Sequence, residues 1–150
     1  MSIRIRPAAL TDIQTLVALE ESCFSTDKLT HRHFYYFIRQ SKSAKILVAV
    51  EQKQLLGCCI MLLRHHSQLA RVYSLAVHPR YRRQGIAHLL CDKLEKLARQ
   101  HHRHCMTLEV RKDNKAAIRF YLQRGYTVFA EYPRYYGDGM AALRMRNMLK

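Results

Sequence analysis

The sequence predicts a mixed α/β fold on one central sheet, and three patterns carry that expectation. Short apolar and β-branched runs alternate with amphipathic helical stretches along the chain. Lys45 to Val50, Gln54 to Leu63 and Ala70 to Val77 follow one another as an antiparallel meander, the first two joined by the polar turn Glu51-Gln52-Lys53. From Ala70 to Val110 a strand, a helix and a second strand require a crossover, hence a locally parallel pair in an otherwise mixed sheet. At 150 residues, 49% hydrophobic and 25% charged, the chain reads as one globular domain over residues 1–150 with a core of its own.

The elements follow in order. Ile3 to Arg6 alternates as a first strand, and Thr11-Asp12-Ile13-Gln14 reads as a capping box for a helix with Ile13, Leu16 and Val17 inward. A second helix is expected near Thr30, with Phe34, Phe37 and Ile38 on one face and Tyr35 and Tyr36 beside it, an aromatic stripe that reads as core. After the meander, Ile86, Leu89, Leu90, Leu94 and Leu97 recur at helical spacing with charges between them, so this helix buries one face. A His-rich turn, the buried strand Cys105 to Val110 and a helix from Lys115 to Arg124 come next, with Gly125 placed as its C′ residue. Strands near Thr127 to Ala130 and Met140 to Met148 close the chain, without repeats, low-complexity tracts or linkers.

Residues 1–10 lack the apolar stretch of a signal peptide, and the longest apolar run, Leu55 to Leu63, is too short to span a bilayer. No membrane association and a cytoplasmic location are therefore expected. Five cysteines, an odd count with no Cys-x-x-Cys pair, suggest buried thiols rather than disulfides or a zinc ribbon. His101, His102 and His104 beside Cys105 are too close in sequence to converge on one tetrahedral ion, so no metal is expected. The net charge of +15 suits a polyanionic cofactor and exceeds what one such ligand requires. That excess brings the ribosome or another RNA into view as a partner, although no RNA- or DNA-binding motif accompanies the charge.

Val77 to Ala87 is the most informative stretch. A strand end runs through a basic turn into a helix whose first-turn N–H groups and dipole favour an anion, with Arg82 and Arg83 adding full charges and Gly85 removing a Cβ from the approach. This reads as a pyrophosphate cradle. Glu109 stands at the end of an apolar strand, where a charge must be paired or face a wet cleft, and it is a candidate base. Tyr121 lies seven positions after Asn114, so both can share one helix face. Structural readings stand beside these: Glu109 satisfied by Arg111 or a backbone amide, Asn114 a simple N-cap, Tyr121 a core aromatic.

Arg82-x-x-Gly85-x-Ala87 after Val77-His78-Pro79 resembles motif A of the GNAT family of acetyl-CoA-dependent N-acetyltransferases, and Leu108 to Tyr121, ending at Arg124-Gly125-Tyr126, is similar to motif B in its RimI-type form. The resemblance covers nearly the whole chain. It implies a central mixed sheet with splayed parallel strands flanked by helices, with acetyl-CoA in the gap. Leu75, Ala76 and Val77 would then meet the pantetheine arm, Arg82, Arg83, Gln84, Gly85, Ile86 and Ala87 the phosphates, and Asn114 and Tyr121 the same cofactor. A backbone N–H near Leu75 or Ala76 would serve the oxyanion. The family roles carried onto Glu109 and Tyr121, twelve positions apart, are general base and general acid in direct transfer, which leaves no need for a nucleophilic cysteine.

Glu131 to Met145 resembles the Tyr-Tyr-x-Asp-Gly segment of catalytic N-terminal acetyltransferases. By that resemblance Tyr135 and Tyr136 bind the backbone of a protein or peptide N-terminus, Ser22 to His31 line the pocket for its first side chain, and a ribosomal protein is among the acceptors in view. An α-amine, with a reference pKa of about 7.7 to 8.0, keeps a useful neutral fraction where lysine at about 10.4 does not. Met140-Ala141 replaces the usual Glu-Asp, and the Trp-Ser of the bacterial RimI pocket is missing, which leaves the first-residue preference open. A small-molecule amine or lysine acetyltransferase is the nearer rival, and a non-catalytic basic RNA-binding module the distant one.

Overall fold

The computed structural model describes residues 2–150. In chain order the elements are β1 (Arg4–Pro7), a short turn of helix (Leu10–Asp12), α1 (Ile13–Cys23), α2 (His31–Tyr35) running into a wide turn (Tyr36–Gln40), β2 (Ala44–Glu51), β3 (Gln54–Leu62), β4 (Leu69–Val77), a second short turn (Pro79–Tyr81), α3 (Ile86–Gln100), β5 (Cys105–Arg111), α4 (Lys115–Gln123), β6 (Thr127–Tyr132) and β7 (Ala142–Met148). The strands form one seven-stranded sheet in the order β1-β2-β3-β4-β5-β7-β6. Only β4 and β5 run parallel, as the crossover requires; every other pair is antiparallel.

Each face of the sheet has its own core. On one face Ile86, Leu90, Cys91, Leu94 and Ala98 of α3 and Tyr121 of α4 pack on Leu47, Cys59, Met61, Met106, Leu108 and Val110. On the other, Ile13, Leu16, Leu19 and Phe34 pack on Ile46, Val48, Val50, Cys58, Ile60, Leu62 and Ala76. This second cluster draws on β2, β3 and β4 alone, and the same face of β5 and β7 carries Thr107, Glu109, Arg111, Arg144 and Arg146 by alternation and register.

Several local details differ from the sequence reading. The first helix is not capped by Thr11. The Asp12 carboxylate instead accepts the Ala9 N–H at 2.7 Å and both Nη atoms of Arg6 at 2.8 and 3.0 Å, binding β1 to the helix entry. Leu89, placed on the buried stripe by spacing, is 42% exposed, because Cys91 and Ala98 fill the inward positions and rotate the stripe. The last strand starts at Ala142, since Tyr136, Gly139 and Met140 are held in a turn by Tyr136 N–H to Met140 O and Gly139 N–H to Tyr136 O. α2 begins near Thr30 as expected, with Thr30 as its N-cap: Oγ1 accepts the His33 N–H at 3.5 Å, and the Thr30 N–H donates to His33 Nδ1 at 2.9 Å. Gly125, at φ +97°, ends α4 in a Schellman turn, with its N–H on Leu122 O and that of Tyr126 on Tyr121 O.

Candidate active site

β4 and β5 stay paired only from Leu69 and Cys105 to Val72 and Leu108. Beyond that point β4 follows β3 as far as Val77 and β5 follows β7 as far as Arg111, so the parallel strands part. Tyr73, an extra residue between the pairs Met61 with Val72 and Ile60 with Ser74, bulges out of β4 where the gap opens. The His78 N–H donates to Leu56 O at 2.8 Å. By antiparallel alternation, Ala76 therefore turns its backbone groups to β3 while Leu75 and Val77 turn theirs to the gap. Of the two amides considered for an oxyanion, only that of Leu75 faces the right way.

The turn after β4 takes the shape its sequence suggests. Arg83 (φ +65°) and Gly85 (φ +81°) occupy the left-handed region, Gly85 is the N-cap of α3, and no atom lies within 4 Å of where its Cβ would stand. Arg82, Arg83, Gln84 and Gly85 are exposed, Ile86 is buried, and the first-turn N–H groups of this 15-residue helix have no intrahelical partner. Arg82 folds back, its Nε donating to the Val77 carbonyl at 3.1 Å, and the Cys23 thiol donates to the same oxygen at 3.3 Å.

Glu109 is the first residue of β5 past the split, and its side chain is 8% exposed. Arg71, opposite Thr107 in register, donates from Nε at 2.8 Å and Nη2 at 2.6 Å to Oε1. Arg144, opposite Glu109, places Nε 3.2 Å from Oε2. Both oxygens thus have a guanidinium neighbour, and the carboxylate is held in one orientation with lone pairs still free. Burial works against the charge of Arg71, but its hydrogen bond to Glu109 and that charge outweigh burial and hold the guanidinium protonated. The partners are Arg71 and Arg144, not Arg111, which pairs with Asp113 and Asp138.

Tyr121 lies on the opposite face, 7% exposed in the α3–α4 core, edge-on to Phe120 at 5.1 Å and Tyr126 at 5.5 Å. Burial drives its pKa well above the usual phenol value, so the hydroxyl stays protonated, and it has no hydrogen-bond partner among the described residues. Glu109 and Tyr121 are therefore separated by the sheet and can approach a common point only through the gap. Asn114 caps α4, Oδ1 accepting the Ala117 N–H at 3.1 Å, which leaves its amide NH₂ for another acceptor.

The turn between β6 and β7 meets the turn between α1 and α2. Asp27 accepts the Gly137 N–H at 3.1 and 3.2 Å, and Tyr135 OH accepts from Arg71 Nη2 at 3.1 Å. Tyr135 is 44% exposed and stands edge-on to Tyr136 at 5.0 Å. Tyr136 is half-buried, with its pKa pushed up to about 12 by burial and then by the neighbouring Tyr135 and Glu109.

The sequence reading missed Arg71, Arg144 and Glu20, and held Asp27 only as part of the Ser22 to His31 pocket segment. The first two carry the signal that marked Glu109, a charge at an inward position of a central strand. Glu20 is 4% exposed and accepts the Leu29 N–H at 2.8 Å, which anchors the α1–α2 turn; burial raises its pKa against that hydrogen bond. All five cysteines are free thiols, and burial pushes Cys91 up to about 12, which leaves it inert at neutral pH. Among the described residues no group of three ligating side chains is placed to hold a metal, and no helix is long and apolar enough to cross a membrane.

The sequence matches the Acetyltransferase (GNAT) family over residues 13–126. A Bacillus subtilis (strain 168) protein named as a candidate ribosomal protein bS18-alanine N-acetyltransferase is 27% identical over 135 residues, 89% of this chain and 87% of its own length. Ard1 from Thermoplasma volcanium superposes with a TM-score of 0.90 at 27% identity, covering 100% of this chain and 99% of that one. The ribosomal-protein-S18-alanine N-acetyltransferase from Escherichia coli gives 0.87 at 22% identity over 99% and 95%, a likeness of fold.

Proposed function

This chain belongs to the GNAT acetyltransferase family and is an acetyl-CoA-dependent N-acetyltransferase, and from that premise we propose that its acceptor is the N-terminal α-amine of a protein. The observation that carries the reading is the bridge from Asp27 to the Gly137 N–H. It brings the α1–α2 turn against the Tyr135-Tyr136 turn, the two segments that resemblance assigns to holding a peptide end, and Arg71 links the second of them to Glu109. The alanine-directed name of the B. subtilis relative makes an alanine-first peptide the first acceptor to try, and the cytoplasm is the location that fits a protein acceptor.

The gap fits the cofactor. The gap-facing backbone of Leu75 and Val77, the open approach at Gly85 and the first-turn amides of Ile86 and Ala87, with Arg83, Gln84 and Arg82 once released from Val77, would hold a pantetheine arm and its pyrophosphate. Acetyl-CoA supplies the acetyl group as an activated thioester. Glu109 receives, through a water, the proton the attacking amine loses as its new N–C bond forms. Arg71 and Arg144 fix the carboxylate in place while this happens. The Tyr121 hydroxyl, kept protonated by burial, is the donor for the sulfur that departs as the C–S bond breaks. Because an α-amine is already partly neutral near pH 7, a modest base is sufficient.

The test is mass spectrometry after incubation with acetyl-CoA and paired alanine-first peptides, identical except for a free or blocked N-terminus and each carrying an internal lysine. Acetylation confined to the free N-terminus is expected. Lysine modification in both peptides would move the assignment to lysine transfer, and modification of neither would point to small amines.

A further inference from the structure

Beside Glu109, on its side away from Tyr135, a cavity of about 180 Å³ opens between the β3–β4 turn and the parallel start of β4 and β5. Arg64, Ser67, Arg71, Thr107 and Arg144 supply its polar lining. Thr107 is 2% exposed and its Oγ1, buried in this wall, has no hydrogen-bond partner among the described residues; the buried Nε of Arg144 likewise makes no well-directed hydrogen bond among them. Buried polar atoms of this kind are ordinarily satisfied, so an unpartnered hydroxyl on a cavity wall points to something that enters the cavity. Three guanidinium groups line it, and among the described residues the one carboxylate that contacts any of them is Glu109, on Arg71 and Arg144. The excess charge is positive, which suits an anion.

The wall is held in shape before anything binds. Arg103 donates from Nη1 to the carbonyls of Arg64 at 2.9 Å, Ser67 at 2.8 Å and Leu69 at 3.0 Å, pinning the turn that carries Arg64 and Ser67 to the end of the sheet. Arg71 joins the cavity to the proposed acceptor groove, since the same guanidinium reaches both Glu109 and Tyr135.

We propose that this cavity is a carboxylate-recognition site for an acidic side chain within the first few residues of the acceptor, read by Thr107, Arg64 and the outer faces of Arg71 and Arg144. The assignment deepens the N-terminal reading above and rests on it. An acidic acceptor also agrees with the net charge of +15, which steers anionic chains toward the site and repels basic ones.

Two measurements test it, on the wild type and on Thr107→Val and Arg64→Ala, neither of which removes a group that contacts Glu109. In the first, thermal melts are followed with added glutarate or inorganic phosphate. In the second, KM is measured for alanine-first peptides bearing Glu or Gln at the second, third or fourth position. Both anions are expected to raise the wild-type melting temperature and to lose that effect in the variants. One Glu peptide is expected to show about a tenfold lower KM than its Gln twin, the scale of a charge-assisted hydrogen bond, with the difference abolished in the variants and Gln-peptide turnover preserved. Stabilisation by phosphate with no Glu preference would assign the cavity to a free anion and overturn the acceptor role. No stabilisation and no preference would overturn the site altogether. Kd values for the same peptides with blocked N-termini separate the two readings: a Glu preference in binding, with free N-termini left unacetylated, would sink the N-terminal acceptor and keep the site.

Discussion

Glu109→Gln separates a base from a clamp. The substitution keeps shape and one acceptor oxygen but removes the charge between Arg71 and Arg144, whose side chains are 27% and 26% exposed. Removing one partner of a fully buried pair costs about 3–5 kcal/mol; with a quarter of each arginine still in water and one hydrogen bond retained, about 2 kcal/mol is expected here. For a chain of this size that corresponds to a drop in Tm of about 4 to 8 °C, read by calorimetry at pH 7.5. Positioning alone predicts this loss and nothing more. A proton-accepting role adds a fall in kcat of about 10² to 10⁴ and a changed acid limb in the pH dependence of kcat/KM, while the limb set by the amine stays in place. Arg144→Gln is the control, because it loosens the clamp and leaves the carboxylate. A Glu109→Gln enzyme with the expected loss of Tm but turnover within about threefold of wild type, far short of the general-base range, and an unchanged profile would refute the base assignment.

Three further outcomes follow from the same geometry. Tyr121→Phe removes a hydroxyl that has no hydrogen-bond partner among the described residues, so Tm should hold or rise; kcat should fall by about 10² with acetyl-CoA affinity little changed, and unchanged turnover would remove Tyr121 from the acid role. Burial raises the pKa of Glu20, so the folded state binds its proton more tightly than the unfolded chain and stability falls as pH rises from the unfolded value toward the folded one. Glu20→Gln keeps an acceptor for the Leu29 N–H and should flatten the melting temperature across that mildly acidic window, without loss at pH 7. At Gly57 an added Cβ would stand 2.9 Å from the Ala76 carbonyl and 3.4 Å from Ile86 and Leu90, so Gly57→Ala should cost about 1–3 kcal/mol and raise KM for acetyl-CoA by moving the gap-facing edge of β4, as melts and initial rates would show.

Local signals were legible where local physics decides. The helix start near Thr30, the Gly125 turn and most strand boundaries each depend on residues within a few positions, and the structure has them nearly as the sequence suggests. Leu89 shows the limit: its spacing fits an amphipathic stripe, but small inward residues such as Cys91 and Ala98 set the true azimuth of α3, and spacing alone does not weigh them. Partners distant in sequence were not legible. Arg111, two positions from Glu109, is one structural partner that the sequence offers it beside a backbone amide, yet the two side chains run out parallel from the pleat and Arg111 reaches Asp113 and Asp138 instead. The partners of Glu109, residues 71 and 144, are fixed by register across two interstrand pairings, which no window of sequence contains.

The split between β4 and β5 explains why the site needs that long-range register. Each strand leaves its parallel partner only because it keeps an antiparallel one, β3 through the bulge at Tyr73 and β7 through Arg111. The gap then joins two unlike environments. On one face a buried phenol keeps its proton in an apolar core; on the other, charge is concentrated around Arg71, Glu109 and Arg144. Acyl transfer needs both, a proton held for the departing sulfur and a polar, wet path for the proton leaving the amine, and one continuous sheet surface would have to compromise between them. Parting two strands of a single sheet places each group in the environment that suits it, and the same charged face that steadies Glu109 extends without interruption into the cavity at Thr107.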